Sequence, residues 1–350
     1  MFENNYKNLL NIIDSGEEAI MLTFMNPKDK KSGKIKDKII SSKNDLDKNI
    51  KDQELIDKSI ESFNTGRPQF VESNLGSVLI EPFFPEPRLI ILGGGHIAKP
   101  LAEFGKQVGF EIAVVDDRPF FANTNRFPDA EVICEDFESS FEKLNIKKSD
   151  FIVIVTRGHR HDGVCLRKAL TFETKYTGMI GSKRRVDGMI TQLLEEGYSK
   201  DDLSKVNTPI GLRIGAVTPE EIAISIIAEI ISIRRNGRDG NKINKAAWPE
   251  FDGEVIDKMV SEDNTKALIT IMSSKGSVPR KAGAKMIAWY DGRTLGSIGG
   301  GCSEGEVIVR ARDVILDKGY EMVHVDMTGE VAEDEGMVCG GTMEVLIESF

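Results

Sequence analysis

An α/β protein with a doubly wound parallel sheet, followed by a smaller α+β domain, is the fold class this sequence predicts, on three observations. Between Arg88 and about Arg235, short apolar runs alternate with amphipathic stretches, the pattern of successive βαβ units. Gly93-x-Gly95-x-x-Ala98 stands where the first apolar run gives way to a helix, which is the place and spacing of a dinucleotide fingerprint in a Rossmann-like fold. Beyond a polar, glycine-bearing stretch from Asn236 to Gly253, the pattern changes to strands joined by turns and a single helix.

In chain order, the first 85 residues read as a degenerate copy of the last domain. Leu22-Thr23-Phe24-Met25 parallels Ile269-Thr270-Ile271-Met272, and Val78-Leu79-Ile80-Glu81 parallels Val345-Leu346-Ile347-Glu348. Asn64-Thr65-Gly66 parallels Asp317-Lys318-Gly319 as a helix stop. Between these anchors, residues 26–51 are rich in Lys, Asp, Ser and Asn, which predicts a mobile loop. The Rossmann-like domain, 86–235, then has strands at Arg88–Leu92, Glu111–Val115, Glu131–Cys134, Phe151–Val155 and Tyr176–Ile180, with a helix from Ala98 to about Val108. Its closing helix runs from Thr218 to Arg235, with Thr218 as N-cap, Pro219 in the first turn and Glu221 as capping glutamate. A linker, 236–253, leads to the last domain, 254–350. There Lys266–Met272 and Lys285–Tyr290 read as strands, Asp291-Gly292 as a hairpin turn, Glu304–Asp317 as a helix and Met343–Ile347 as the final strand.

Composition bounds the function. With 350 residues, 40% hydrophobic and 29% charged, the chain has room for two or three cores. No apolar run reaches the length of a membrane span, and the residues after Met1 lack the basic and apolar regions of a signal peptide. A net charge of −10 argues against nucleic acid or an anionic membrane as partner. Four scattered cysteines without a Cys-x-x-Cys pair argue against a disulfide framework and a zinc knuckle, and point to the cytoplasm.

The motifs that carry chemistry fall into two groups. In the first, Gly93 allows the turn, Gly95 lets a pyrophosphate approach the helix start, and His96 faces the ligand. Asp116, at the end of the second strand, is placed to bind a ribose hydroxyl, which would suit NAD(P) or another nucleotide. Thr156, Arg157, His159, His161 and Asp162 follow a central strand, where the carboxyl ends of strands line a crevice. His161 with Asp162 suits an acid–base pair or a metal, and the arginines suit phosphate. Ser182, before Lys183-Arg184-Arg185, opens a further anion-ready loop. In the second group, Gly299-Gly300-Gly301-Cys302-Ser303-Glu304 and Cys339-Gly340-Gly341 each place a cysteine among glycines. Ser303 and Glu306 have capping-box spacing, which would leave Cys302 beside free N–H groups at a positive helix end. Arg280, in a turn-rich segment with Lys281 and Lys285, adds positive charge. On the residues alone, tight turns around buried thiols remain the competing reading of the cysteine loops.

Read together, these words resemble one family. Gly276-Ser277-x-Pro279-Arg280-x-x-Gly283-Ala284, Gly299-Gly300-Gly301-Cys302-x-Glu304 and Cys339-Gly340-Gly341 are similar to the signature domain of the XdhC/CoxI accessory proteins, maturation factors for molybdenum hydroxylases such as xanthine dehydrogenase. Gly93-Gly94-Gly95-His96, Thr156-Arg157-Gly158-His159-x-His161-Asp162 and Gly178-Met179-Ile180-Gly181-Ser182 resemble that family's Rossmann domain. The order differs from many relatives, because the intact cysteine domain comes last. The resemblance implies binding of molybdenum cofactor (molybdopterin), help with its sulfuration, and insertion into an apo-molybdenum hydroxylase, with a cysteine desulfurase as second partner. It suggests Cys302 and Cys339 as thiol ligands of the molybdenum or agents of sulfur transfer. Arg280, Gly300, Gly301, Glu304 and Gly340 would then line the cofactor. A cofactor-binding chaperone is favoured over a free-standing enzyme; the alternatives are an NAD(P)-dependent oxidoreductase using the Rossmann crevice, a thiol redox switch and a nucleotide-sensing partner protein. The worn copy facing an intact one also points to a homodimer.

Overall fold

The computed structural model describes residues 2–27, 31–73, 76–236, 252–300, 302–327 and 341–350. Its elements in chain order begin with α1 (Glu3–Asp14), β1 (Ala19–Pro27), β2 (Ser32–Ser42), α2 (Leu46–Asn49), α3 (Gln53–Thr65), β3 (Gln69–Ser73) and β4 (Gly76–Phe83). Then come β5 (Arg88–Leu92), α4 (Ala98–Gln107), β6 (Glu111–Val115), β7 (Glu131–Ile133), α5 (Phe137–Leu144), β8 (Phe151–Ile154), α6 (His159–Ala169), β9 (Tyr176–Met179), α7 (Lys183–Glu195), α8 (Lys200–Ser204), β10 (Val206–Asn207) and α9 (Pro219–Asn236). The last run is α10 (Gly253–Ser261), β11 (Lys266–Gly276), β12 (Lys285–Trp289), β13 (Thr294–Gly296), α11 (Cys302–Asp317), β14 (Tyr320–Asp326) and β15 (Gly341–Ser349). None of the described helices is long and apolar enough to cross a membrane.

The chain divides into two compact units, Met1–Phe84 with Lys245–Phe350, and Pro85–Asn244. This corrects the division drawn from sequence, in which the first 85 and last 97 residues stand as separate domains. Most of the expected linker, residues 237–251, lies outside the described residues.

In the first unit a nine-stranded sheet runs β13-β12-β11-β15-β14-β2-β1-β4-β3. The two ends of the chain contribute strands in the same order: β2-β1-β4-β3 matches β12-β11-β15-β14. The register matches as well. Thr23 lies opposite Lys38 and Leu79, while Thr270 lies opposite Lys285 and Leu346. Pairing of Tyr320 with Gly33 and of Glu321 with Ser32 joins the halves. One face of each half is covered by its own helix. Leu55, Ile56 and Phe63 of α3 pack with Ile20, Leu22, Val78 and Ile80. Val307, Ala311, Val314 and Ile315 of α11 pack with Ile269, Met286 and Val345. Asp52 caps α3 by accepting from the Glu54 and Leu55 amides, and Gly66 ends it at φ 64°. The other faces share a core with α1 and α10, made of Tyr6, Leu9, Met21, Phe83, Ile256, Leu268 and Ile287 among others.

Inside that shared core lie two crossed ion pairs. Lys38 donates to Glu348 at 2.9 Å and to Thr23 Oγ1 at 2.9 Å. Lys285 donates to Glu81 at 2.5 Å and to Thr270 Oγ1 at 2.9 Å. Each lysine therefore binds the threonine of its own half and the glutamate of the other, and all four charged residues are buried. This overturns the expected mobile loop at 26–51. Ser32–Ser42 is a strand, with a 3-10 turn at Lys43–Asp45 and α2 after it, and residues 28–30 lie outside the description. Its polar composition misleads because Lys38 meets its counter-charge 310 positions away.

The second unit is a six-stranded parallel sheet in the order β10-β9-β8-β5-β6-β7. Strand β8 is buried at all four positions, because a parallel sheet carries helices on both faces and needs no alternation. Leu101 of α4 and Ile226, Ile227 and Ile230 of α9 cover one face with Leu89 and Ile91. Phe137, Phe141, Cys165 and Leu193 cover the other with Ile90 and Ile152. The capping box read at α9 forms: the Glu221 amide donates to Thr218 Oγ1 at 3.2 Å and Glu221 Oε2 accepts from the Thr218 amide at 3.1 Å.

Candidate functional site

Strand order reverses between β5 and β8, and the loops that follow these two strands flank the point of reversal. Gly93 has φ 113°, and a Cβ there would stand 2.5 Å from the Val155 carbonyl oxygen and 2.9 Å from Thr156 Cα. A Cβ on Gly94 would overlap the Phe121 carbonyl oxygen. Gly95 differs, since a Cβ there meets nothing within 4 Å. The first two glycines let the loop pack; the third leaves open space before α4. That helix starts without a side-chain cap and without an acidic residue in its first turn, so its positive end is available to an anion. His96 is exposed beside it. Arg126 holds the loop from behind by donating to the Gly94 and Gly95 carbonyls at 3.1 and 3.0 Å.

Asp116, expected at a ribose, turns inward and is 1% exposed. It accepts from the Gly94 amide at 2.8 Å, from the Arg118 amide at 3.1 Å and from the Arg118 guanidinium at 2.8 and 2.9 Å. Its carboxylate braces the glycine loop, a role that the spacing to the fingerprint does not distinguish from ribose binding. The neighbouring Asp117 pairs with Arg157 at 3.0 Å through Oδ2, while its Oδ1 is buried without a hydrogen-bond partner. Burial pushes the Asp116 carboxyl up, but the bonds from Arg118 and Gly94 outweigh it and hold it below the usual range. The stabilisation is therefore complete above the unfolded carboxylate pKa of about 4 and is lost as pH falls through the lower folded value. Asp116→Asn is expected to melt below wild type at pH 7, with the gap narrowing towards pH 3. A gap in melting temperature that stays constant over that range would contradict the brace.

Next along the sheet, Thr156 Oγ1 donates to Asp162 at 2.5 Å and Arg185 donates to its other oxygen at 3.1 Å. Asp162 is 3% exposed. In place of the expected His161–Asp162 pair, the structure builds a Thr156–Asp162–Arg185 set, while the His161 ring meets Phe137 edge-on at 5.4 Å. His159 opens α6 after an extended Gly158; its side chain lies outside the description. Ser182 is the exposed N-cap of α7 and makes no side-chain capping bond. Because β5, β8 and β9 are neighbours, the starts of α4, α6 and α7 line one edge of the sheet. Arg157, Arg160, Lys183, Arg184 and Arg185 stand exposed along it.

The glycine–cysteine loop belongs to the other unit. Cys302 is the first residue of α11; its side chain, Gly301, Cys339 and Gly340 lie outside the described residues. Gly299 and Gly300 have φ 138° and 77°, which turn successive N–H groups inward. They do not wait for a ligand. Glu304 Oε1 accepts from Ser297 Oγ at 2.6 Å and from the amides of Ile298, Gly300 and Gly299 at 2.8, 2.9 and 3.1 Å. Burial alone would push the Glu304 carboxyl up, and these bonds pull it below its ordinary value. Glu304 thus takes up N–H groups that the sequence left free beside Cys302. Glu306, expected in a capping box with Ser303, pairs with Arg310 at 3.0 Å, and the Ser303 side chain lies outside the description. Arg280 donates to both oxygens of Asp252 at 3.0 Å, and Lys285 is buried with Glu81, so the expected basic anion loop keeps little of its charge for a ligand. A Cβ on Gly299 would lie 3.3 Å from Pro279, so the two loops abut.

Comparison with known proteins adds two family matches. Residues 89–230 match the XdhC Rossmann domain, and residues 259–326 match the XdhC and CoxI family. Among curated relatives, the chain is 33% identical over 166 residues to an uncharacterized protein, YqeB, of Escherichia coli, covering 47% of this chain and 30% of that one. It is 32% identical over 160 residues to a protein of Bacillus subtilis named as a probable xanthine dehydrogenase subunit, covering 45% and 46%. A molybdenum cofactor insertion chaperone, PaoD, of Escherichia coli is 25% identical over 154 residues, covering 43% and 42%. The chain thus spans less than half the length of these relatives. A crystal structure described as a xanthine dehydrogenase from Bacillus halodurans is 26% identical with a TM-score of 0.46, covering 69% of this chain and 67% of that one.

Proposed function

The chain belongs to the XdhC and CoxI family, and from that premise we propose that it binds molybdenum cofactor and delivers it to an apo-molybdenum hydroxylase. The observation that carries this reading is the open Gly95 against the uncapped start of α4. A backbone-lined helix end without acidic side chains fits a phosphate or pyrophosphate, and the cofactor carries such a group on its pterin. Gly93 and Gly94 would hold the loop, Gly95 and the α4 amides the anion, and Arg157 and Ser182 the edge of the crevice. The bound group would supply a molybdenum centre for which thiolates are suitable soft ligands. Cys302 and Cys339 belong to the other unit and are proposed, independently of the α4 crevice, as thiol ligands of molybdenum or in sulfur transfer, with a cysteine desulfurase as sulfur donor. A relative described as a cofactor insertion chaperone and another described as a dehydrogenase subunit support the client class.

The test is metal and pterin analysis of the chain purified from a host that makes molybdenum cofactor, beside the Cys302→Ser/Cys339→Ser variant. Near-stoichiometric molybdenum and pterin in wild type, falling at least tenfold in the variant, is the expected result. No molybdenum in either, with NAD(P) retained, would overturn the carrier reading in favour of an oxidoreductase.

A further inference from the structure

The crossed ion pairs have the form of a twofold interface. In a true dimer residue i of one copy meets j of the other, and j of the first meets i of the second. Here Lys38 and Lys285 are register equivalents, as are Thr23 and Thr270, and Glu81 and Glu348. Lys38 binds Glu348, and Lys285 binds Glu81. The surroundings repeat as well: Lys38 lies 5.9 Å from the Phe350 ring and Lys285 lies 5.4 Å from that of Phe83, two positions beyond each glutamate. α1 and α10, each preceding the first strand of its half, share one core.

We propose that the face of the last half bearing Lys285, Thr270 and Glu348 is a self-recognition surface whose fitting partner is a second copy of itself, and that the first half is such a copy fused into the chain. The halves differ where the proposed chemistry lies. The Gly276–Arg280 turn and the Gly299–Gly300 loop follow β11 and β13, whereas the first half carries the Lys43–Asp45 turn and α2 after β2. Fusion therefore leaves one set of glycine–cysteine loops per pair of halves, where two copies of the last half would have two sets. The proposal stands independently of what those loops bind.

Reversing both charges of the first half, Lys38→Glu with Glu81→Lys, sets like charge against like. The new carboxylate at position 38 faces Glu348, and the new ammonium at position 81 faces Lys285. The face of the last half is then released with its own complementary lysine and glutamate intact. A second copy offers Glu348 to Lys285 and Lys285 to Glu348, so the mass by light scattering is expected to double relative to wild type. Adding Lys285→Glu and Glu348→Lys restores both internal pairs and returns the mass to the wild-type value. Unchanged mass in the double variant overturns the proposal. Should that variant aggregate, Lys38→Ala with Glu81→Ala decides instead: it leaves the face unpaired without repulsion, a doubled mass supports self-recognition and the wild-type mass refutes it.

Discussion

Lys285→Met is expected to lower the stability of its unit by about 3–5 kcal/mol, the usual cost of stranding one partner of a buried ion pair. Lys285 is 2% exposed and Glu81 4% exposed. Methionine fills the volume of the lysine stem, so little packing is lost and the effect isolates the charge. Glu81 would then stay buried without the cation it is paired with. The pair itself need not stabilise: two desolvated charges return little more than they cost, and Lys285→Met with Glu81→Leu should recover most of the loss. Guanidinium unfolding of the single and double variants, followed by tryptophan fluorescence, separates these outcomes. Equal destabilisation in both would mean that packing, not charge, is what the lysine provides.

That pair also shows where the sequence is legible. The words Leu22–Met25 and Val78–Glu81 match Ile269–Met272 and Val345–Glu348 by pattern, and they occupy equivalent strand positions. Strands with a buried face keep an apolar period that survives divergence. β2 is unreadable for the opposite reason. A buried lysine looks like a solvated one until its distant glutamate is known, and no local period carries that information. The merging of the two chain ends into one unit is hidden likewise, because it rests on pairing between residues near 33 and near 320.

At the candidate site, residue types are legible and their partners are not. The glycine fingerprint, the helix start and the basic loops stand where the strand ends require. Asp116 and Glu304 read as ligand contacts, and both instead bind backbone amides of the glycine loop next to them. An acid placed near a glycine turn can serve either purpose, and spacing alone does not choose. Asp117 escapes notice because only the inward turn of Asp116 leaves its neighbour at the crevice. Asp252 is hidden for a similar reason: nothing in the linker marks it as the partner of Arg280.

The sharpest functional contrast lies inside the fingerprint. Gly93→Ala puts a Cβ 2.5 Å from the Val155 carbonyl oxygen at φ 113°. Backbone atoms cannot swing aside as a side chain would. Strain at positive φ and overpacking each cost about 1–3 kcal/mol, so the variant should lose on the order of 3 kcal/mol or more. Gly95→Val should behave oppositely. Its Cβ meets nothing within 4 Å, so the fold tolerates it and the melting temperature should stay within about 2 °C of wild type, as for a surface substitution. The added methyl groups would fill the space through which an anion reaches the α4 amides, and cofactor retained after purification should drop at least tenfold. Melting curves and molybdenum content measured on the same preparations read the two effects separately. If Gly95→Val keeps its cofactor, the crevice at α4 is not where the anionic group binds, and the proposed site moves to the glycine–cysteine loop.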